Sequence, residues 1–190
     1  MRATMRGPRR GFSLIEVLIV VVLIGIMLSI VVPRFRVSQS TKARQAADQL
    51  AHDLEAVRSR ALATRSVARL ALDAAGGTYS GYLDTDRDGA LSQSAAETAA
   101  LEVFRSRDLD QDIRFGRGTA PDLPGFAGGG SVTLPNSRVD FDARGLTTPL
   151  GTRGVVYFRS ATDTTAVAAV SISAAAGIQS WVYRGGGTWQ

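Results

Sequence analysis

An uncharged apolar run near the start of the chain constrains its fold more than any other feature. Val17 to Val32 contains no charged side chain. Residues 12–32 would span about 30 Å as a helix, at ~1.5 Å per residue, which is the thickness of a bilayer core. One acid, Glu16, stands at the head of the run. A carboxylate at membrane depth costs roughly 2.5–3.5 kcal/mol or more, so such a residue usually has a partner and a function.

The run lacks the pattern of a cleaved secretory signal. Such signals have an apolar stretch of roughly 7–15 residues followed by small residues, whereas this longer run ends in Val31-Val32-Pro33. The sequence contains no cysteine, which excludes a disulfide framework, a thiol nucleophile and a cysteine lipid anchor. We therefore expect an uncleaved single-pass anchor. Basic residues flank the run on both sides, so positive charge leaves its orientation open.

The high isoelectric point does not predict a nucleic-acid-binding domain. The sequence pI is near 10.4 and the formal net charge is +5. Four of those charges belong to arginines that precede Gly11, which leaves about +1 for the side chains of the remainder. The basicity is therefore mainly that of a short N-terminal leader, which is set aside before the fold is considered.

The segment Arg9 to Glu16, RRGFSLIE, followed by the apolar run and Pro33, closely resembles the type IV prepilin signature of pilins and type II secretion pseudopilins. The resemblance implies that a prepilin peptidase cleaves between Gly11 and Phe12 on the cytoplasmic side of the membrane. It also implies that the same enzyme methylates the new amino group of Phe12. Pro33 falls where the family often has a proline that kinks the helix.

The same resemblance gives Glu16 a role in assembly. In the family, this acid pairs with the amino terminus of a neighbouring subunit, here the ammonium group of Phe12. An ammonium and a carboxylate at membrane depth are each costly alone, and pairing offsets that cost. The alternative is an acid at the membrane interface that has no partner.

The remaining sequence predicts an amphipathic helix and then a β domain. Between Val37 and Ser66, alanine and leucine recur at three- and four-residue steps, with charged residues such as Asp48, Asp53 and Glu55 assigned to the other face. Because proline lacks a backbone donor, Pro33 is expected to kink one long helix. Beyond Ser66 the apolar period changes to two, which predicts short strands. These strands are expected at 67–72, 78–83, 101–104, 112–115, 131–134, 138–141, 154–159, 166–173 and 178–183.

The expected fold is α+β and type IV pilin-like, with a long N-terminal helix packed on an antiparallel sheet. Its segments are a leader (1–11), a transmembrane helix (12–33), an amphipathic half-helix (34–66) and a globular β domain (67–190). The C-terminal half resembles the GspH/FimT branch of pseudopilins and minor pilins. The residues matched there are Phe141, Gly145 and Gly177.

One acidic loop is a candidate calcium site. Asp84, Asp86 and Asp88, with Gly89, match the first half of an EF-hand loop. The closing glutamate is missing because Ala95 stands at its position, so an ordinary acidic hairpin is the alternative. No other cofactor is expected.

No catalytic motif appears in the sequence, and we expect a protein that is not an enzyme. The resemblance implies a minor pseudopilin that helps to assemble or initiate a type II secretion pseudopilus. The alternative is a FimT-type minor pilin of a type IV pilus that contacts DNA during uptake. Its candidate contacts are a cluster at the helix end, with further arginines along the chain: Arg58, Arg60, Arg65, Arg105, Arg107 and Arg184. We do not expect nucleic acid binding.

The expected partners are prepilin peptidase, other pilins or pseudopilins in a filament, and the inner membrane. The resemblance implies that the chain lies in the bacterial inner membrane as a single-pass protein with a periplasmic C-terminal domain.

Overall fold

A computed structural model of the chain describes residues 14–31, 38–87, 91 and 106–190. The chain divides into two units, residues 1–37 and residues 38–190. Gly11, Phe12, Pro33 and Asp88, which the sequence singles out, lie outside the described residues.

The first unit contains helix α1, Leu14–Val31. Its side chains from Leu14 to Met27 are exposed, and the large apolar ones among them are roughly half exposed or more. Over the described residues, no helix combines the length and the hydropathy needed to cross a membrane. The predicted span at 12–33 extends beyond α1 at both ends, into residues that are not described.

The second unit begins with helix α2, Gln39–Thr64, which has a cap at each end. Ser38 has an extended backbone, and its hydroxyl accepts a hydrogen bond of 3.2 Å from the amide of Thr41. This is a standard N-cap, which satisfies one of the free donors of the first turn. At the other end Arg65 adopts a left-handed conformation, with φ of 53°. The helix α2 thus begins at Gln39 with a cap at Ser38, and the expected kink at Pro33 stays a prediction because residues 32–37 lie outside the described residues.

Within the described residues, nine strands follow α2 and form two antiparallel sheets. They are β1 (Ala68–Asp73), β2 (Thr78–Leu83), β3 (Ser106–Asp108), β4 (Ile113–Phe115), β5 (Arg138–Phe141), β6 (Thr147–Thr148), β7 (Gly154–Ser160), β8 (Val167–Ile172) and β9 (Ile178–Val182). The first sheet has the order β3-β2-β1-β5-β6, and the second has the order β4-β7-β8-β9. All the pairings within them are antiparallel. The α+β class with an antiparallel sheet domain is confirmed, and the described strands form two sheets.

The apolar stripe of α2 packs against both sheets. Ala43, Ala47, Leu50, Leu54, Val57 and Ala61 are fully or almost fully buried in one core. Because alanine occupies half of these positions, the helix can approach the strands closely. The first sheet contributes Leu70 and Phe141 to this core, and the second contributes Phe158 and Val170.

The second sheet is covered on both of its faces. Val156 and Phe158 of β7 face the core that contains α2, whereas Val155 and Tyr157 face a second apolar cluster with Leu123. This explains why β7 and β8 are buried at nearly every position, without the alternation of a half-exposed strand. The second cluster is covered by the Gly- and Pro-rich segment 116–130 and by the C-terminal residues.

Most of the predicted strands are present, with small shifts at their ends. The prediction for 78–83 matches β2 in full, and those for 67–72, 112–115, 138–141, 154–159, 166–173 and 178–183 match β1, β4, β5, β7, β8 and β9. The prediction for 131–134 is wrong, because only Val132 forms a bridge there, with Val156. The predicted strand at 101–104 lies outside the described residues.

Candidate functional site

Glu16 is the one residue of the predicted N-terminal site that the structure describes. It lies in the first turn of α1, and its side chain is exposed. A carboxylate at this position is favoured by the helix dipole, whose positive end is at the N-terminus. Glu16 stands four residues after Phe12 in the sequence. Its exposed position leaves the carboxylate accessible to a group from another molecule.

The acidic loop is used partly to shape a turn. Asp84 is buried, and its Oδ1 accepts a hydrogen bond of 2.7 Å from the amide of Arg87. The hydroxyl of Ser66 donates to the backbone carbonyl of Asp84, and Asp86 is exposed. Among the described residues, no group of three or more acids, histidines or cysteines could hold a metal ion. The calcium hypothesis for Asp84, Asp86 and Asp88 stays a prediction, because Asp88 lies outside those residues.

Two arginines of the predicted DNA-contacting set are bound within the domain. Arg58 Nε donates a hydrogen bond of 2.9 Å to the carbonyl of Gly145, and its Nη1 lies 3.7 Å from Glu55 Oε2. Arg107 Nε lies 2.6 Å from Asp53 Oδ2. Arg65 is exposed at the end of α2, and Arg105 lies outside the described residues. The structure therefore does not present Arg58 and Arg107 as free surface cations.

Asp53 is the centre of a buried polar network that joins α2 to the first sheet. Its carboxylate is 5% exposed and accepts a hydrogen bond of 2.7 Å from the Tyr79 hydroxyl on β2. It also accepts one of 3.1 Å from Gln49 on α2 and pairs with Arg107 on β3. The expectation that Asp53 lies on the polar face of the helix is wrong. Its charge is tolerated inside because three donors converge on it.

Burial raises the pKa of Tyr79 well above its usual range, and its hydrogen bond to Asp53 raises the pKa further. The phenol is therefore a permanent donor at physiological pH. Arg107 is also a permanent donor, since a guanidinium does not deprotonate in proteins. The network thus holds β2 and β3 against α2, and its role is to fix the first sheet on the helix.

Two of the three C-terminal positions that carry the resemblance, Phe141 and Gly145, have structural roles. Phe141 is fully buried in the main core. Gly145 has a φ of 72°, in a turn whose amides at Arg144 and Leu146 donate to Asp142 Oδ1 at 2.8 and 3.0 Å. These bonds and the Arg144 side chain lower the pKa of Asp142, although burial acts in the opposite direction.

Gly177, the third matched position, lies in the turn of the hairpin between β8 and β9. The left-handed residue there is Ala176, with φ of 59°. Gly177 instead donates its amide to the Ser173 hydroxyl at 3.0 Å. A methyl group on Gly177 would approach that hydroxyl oxygen to 3.0 Å. Gly177 therefore provides space at this turn, and the unusual backbone angle falls on its neighbour.

Comparison with known proteins identifies the N-terminal motif and the fold. The family model of the prokaryotic N-terminal methylation motif matches residues 6–32. The minor pseudopilin EpsH from the type 2 secretion system of Vibrio cholerae has a similar structure, with a TM-score of 0.51 and 9% identity over 76% of this chain and 99% of that chain. The type IV minor pilin FimU of Pseudomonas aeruginosa gives a TM-score of 0.47 and 19% identity over 72% and 86% of the two chains. No curated protein matches the sequence.

The chain therefore carries a prepilin-type methylation motif and has a type IV pilin-like fold. The sequence located the motif, while the Asp53 network was missed. A signal for the burial of Asp53 was present, since Asp53 lies three residues after Leu50 and one before Leu54, on the apolar stripe.

Proposed function

We propose that this chain is a minor pseudopilin, a structural subunit that acts in the assembly or tip initiation of a type II secretion pseudopilus. The observation that carries the proposal is the methylation motif over residues 6–32. The type IV pilin-like fold, which the minor pseudopilin EpsH shares, supports it. The work of such a subunit is assembly, and no substrate is turned over.

In this proposal, prepilin peptidase cleaves between Gly11 and Phe12 and methylates Phe12. The segment 12–33 holds the chain in the inner membrane, with the β domain in the periplasm. The exposed carboxylate of Glu16 then pairs with the Phe12 ammonium of a neighbouring subunit. This ion pair would set the register of the entering subunit, because each charge is costly in the membrane until it meets the other.

The second candidate, a FimT-type minor pilin that contacts DNA, has less support. Electrostatic DNA binding requires several free cations on one surface. Arg58 and Arg107 instead bind Gly145 and Asp53 within the domain. These contacts favour the pseudopilus over the DNA-binding role.

A deletion strain tests the proposal when it is scored side by side for secreted proteins, surface pili and DNA uptake. Loss of secretion with intact pili, restored by the wild-type gene, is the expected result. Loss of pili or of DNA uptake with normal secretion would contradict the pseudopilus role and support the minor pilin. An Arg58/Arg60/Arg65 charge reversal that abolished DNA retention but not assembly would further support that second role.

A further inference from the structure

One sheet edge of the domain lacks the usual protection against pairing with another chain. Among the described strands, β3 and β6 end the first sheet, and β4 and β9 end the second. The first three are short: β3 and β4 have three residues each and contain charges, and β6 has two residues and precedes Pro149. Strand β9 has five residues, Ile-Gln-Ser-Trp-Val, with no charge and no proline. Short length, charge and proline are the common means of blocking an edge.

The amide and carbonyl groups of alternate β9 residues point away from β8. The Tyr183 amide donates to the Val167 carbonyl on the β8 side at 3.0 Å. The Val182 amide points the other way and donates to the Gln190 carbonyl at 2.7 Å. Since these directions alternate along a strand, the amide and carbonyl groups of Ile178 and Ser180 share the outward direction of Val182.

The C-terminal residues cover only half of this edge. Val182 and Gln190 exchange two backbone hydrogen bonds, and Tyr183 bridges Trp189. No described residue pairs in this way with the outward-facing groups of Ile178 and Ser180. The open half of β9, residues 178–180, therefore offers two donors and two acceptors at the spacing that an additional strand requires.

A groove beside the open half indicates which side chains an added strand would carry. Ile178 and Ser180 line the groove on one side, and four residues of α2 line the other: Asp48, Ala51, His52 and Glu55. Paired residues on adjacent strands point their side chains to the same face. A residue placed opposite Ser180 would therefore extend its side chain towards the acids of α2.

The two acids of the groove retain room for a second cation. The Asp48 and Glu55 side chains are 48% and 47% exposed, and their partners Arg44 and Arg58 lie 3.4 and 3.7 Å away. These distances exceed the roughly 2.7–2.9 Å of a charge-assisted hydrogen bond. Exposed helix pairs of this kind contribute only about 0.3–0.5 kcal/mol, so they compete weakly with an incoming lysine or arginine.

We propose that the open half of β9 is a docking site for an extended basic segment of another polypeptide. The segment adds as a strand along Ile178–Ser180 and places a lysine or arginine beside Asp48 and Glu55. The alternate residues of the added segment lie on the opposite face of the sheet, where Trp181 packs against the second apolar cluster. These residues of the segment are apolar. This proposal stands independently of the secretion role.

The test uses the isotopically labelled full chain in zwitterionic detergent micelles, and its backbone amides are followed by NMR. The probes are two capped heptapeptides, one alternating lysine with valine and the other alternating glutamate with valine. The lysine peptide is expected to shift the Ile178 and Ser180 amides and to slow hydrogen exchange at Ser180 about tenfold or more. Equal binding of both peptides, or shifts that avoid β9 and the α2 groove, would overturn the proposal.

Two sets of variants separate backbone pairing from charge. Ser180→Pro removes an amide that faces away from β8, as proline can on an edge strand, and it should abolish binding. Ser180→Ala keeps the amide and should bind as the wild type does. Unchanged amide signals from Val156 and Phe158 on β7, which are buried in the main core, will show that Ser180→Pro is folded.

The double reversal Asp48→Lys/Glu55→Lys should weaken binding of the lysine peptide about tenfold or more, whereas Asp108→Lys on the edge strand of the other sheet should not. Unaltered affinity in the double reversal would overturn the assignment of a basic partner. Self-association of the full chain through β9, in place of peptide binding, would overturn it as well.

Discussion

The hydroxyl of Tyr79 on β2 donates a hydrogen bond of 2.7 Å to Oδ2 of Asp53 on α2. The two residues are 26 positions apart in the sequence, and Arg107 from a third element closes the network. A buried carboxylate that loses a donor bears a desolvation cost it cannot recover from water. This contact therefore fixes the first sheet on the helix that precedes it.

Tyr79→Phe should destabilise the domain by about 1–3 kcal/mol, because Asp53 remains buried with one donor fewer. Thermal unfolding of the full chain in detergent measures the effect. Tyr82→Phe is the matched control, since among the described residues the hydrogen-bond partner of the Tyr82 hydroxyl, on the same strand, is the part-buried Ser80. Equal effects of the two substitutions would show that the Asp53 contact has no special importance.

Gly118→Ala should be among the most damaging single substitutions in the segment that covers the second sheet. Gly118 has a φ of 56°, and a Cβ there would lie 2.1 Å from the backbone oxygen of Thr164. That oxygen already accepts the amide of Thr119 at 3.0 Å, so it cannot move away without breaking this contact. We expect a loss of about 3 kcal/mol or more in unfolding free energy.

Gly125→Ala separates backbone strain from the steric conflict. Gly125 also has a positive φ, of 85°, but nothing lies within 4 Å of the point that an added Cβ would occupy. It should lose only about 1–2 kcal/mol, the cost of a left-handed conformation. A Gly118→Ala protein as stable as Gly125→Ala would refute the close approach of segment 116–130 to Thr164.

The stabilising contribution of Asp142 to the domain should be lost in acid. Its pKa is lowered in the folded protein by the amides of Leu146 and Arg144 and by the Arg144 side chain, against the effect of burial. A lowered pKa gives a stabilising contribution that is full above the ordinary carboxyl pKa, near 3.8, and disappears as the pH falls through the folded value. The stability difference between the wild type and Asp142→Asn should therefore narrow below about pH 4. Denaturant unfolding between pH 7 and pH 2 measures this difference in unfolding free energy. A difference that stayed constant over that range would contradict this assignment.

The local elements could be predicted from the sequence better than their arrangement. The alternation in Thr78–Leu83 gave the bounds of β2, and the alanine-rich stripe identified the buried face of α2. Strand β6 was missed, because two threonines carry no periodic signal. The division into two sheets was also missed, since it depends on pairings between distant segments, such as β1 with β5.

The candidate functional residues show the same contrast between local sequence patterns and long-range arrangement. The N-terminal motif is contiguous, so its residues could be recognised without a structure. The Asp53 network joins α2, β2 and β3, and no local pattern connects those residues. The open half of β9 was likewise inaccessible to sequence reasoning, because an edge is defined only when the strand order is known.

Glu16→Ala should leave processing at Gly11–Phe12 largely intact but impair incorporation into filaments. The substitution removes the carboxylate that would pair with the Phe12 ammonium of the neighbouring subunit, so that ammonium stays unpaired at membrane depth. Glu16→Asp, which keeps the charge, is the control and should assemble better than Glu16→Ala. Quantifying the protein in sheared filaments and in membranes measures the effect, and normal incorporation of Glu16→Ala would be inconsistent with the assembly role.

The most direct test of the account is intact-mass spectrometry of the protein isolated from membranes of cells that contain prepilin peptidase. We expect a chain that lacks residues 1–11, begins at Phe12 and carries the added mass of one methyl group on its amino terminus. Replacement of Gly11 by a large residue should instead give the uncut precursor, because the peptidase requires a small residue there. A wild-type protein that retained its first eleven residues in such cells would contradict the proposal that this chain is processed and assembled as a pseudopilin.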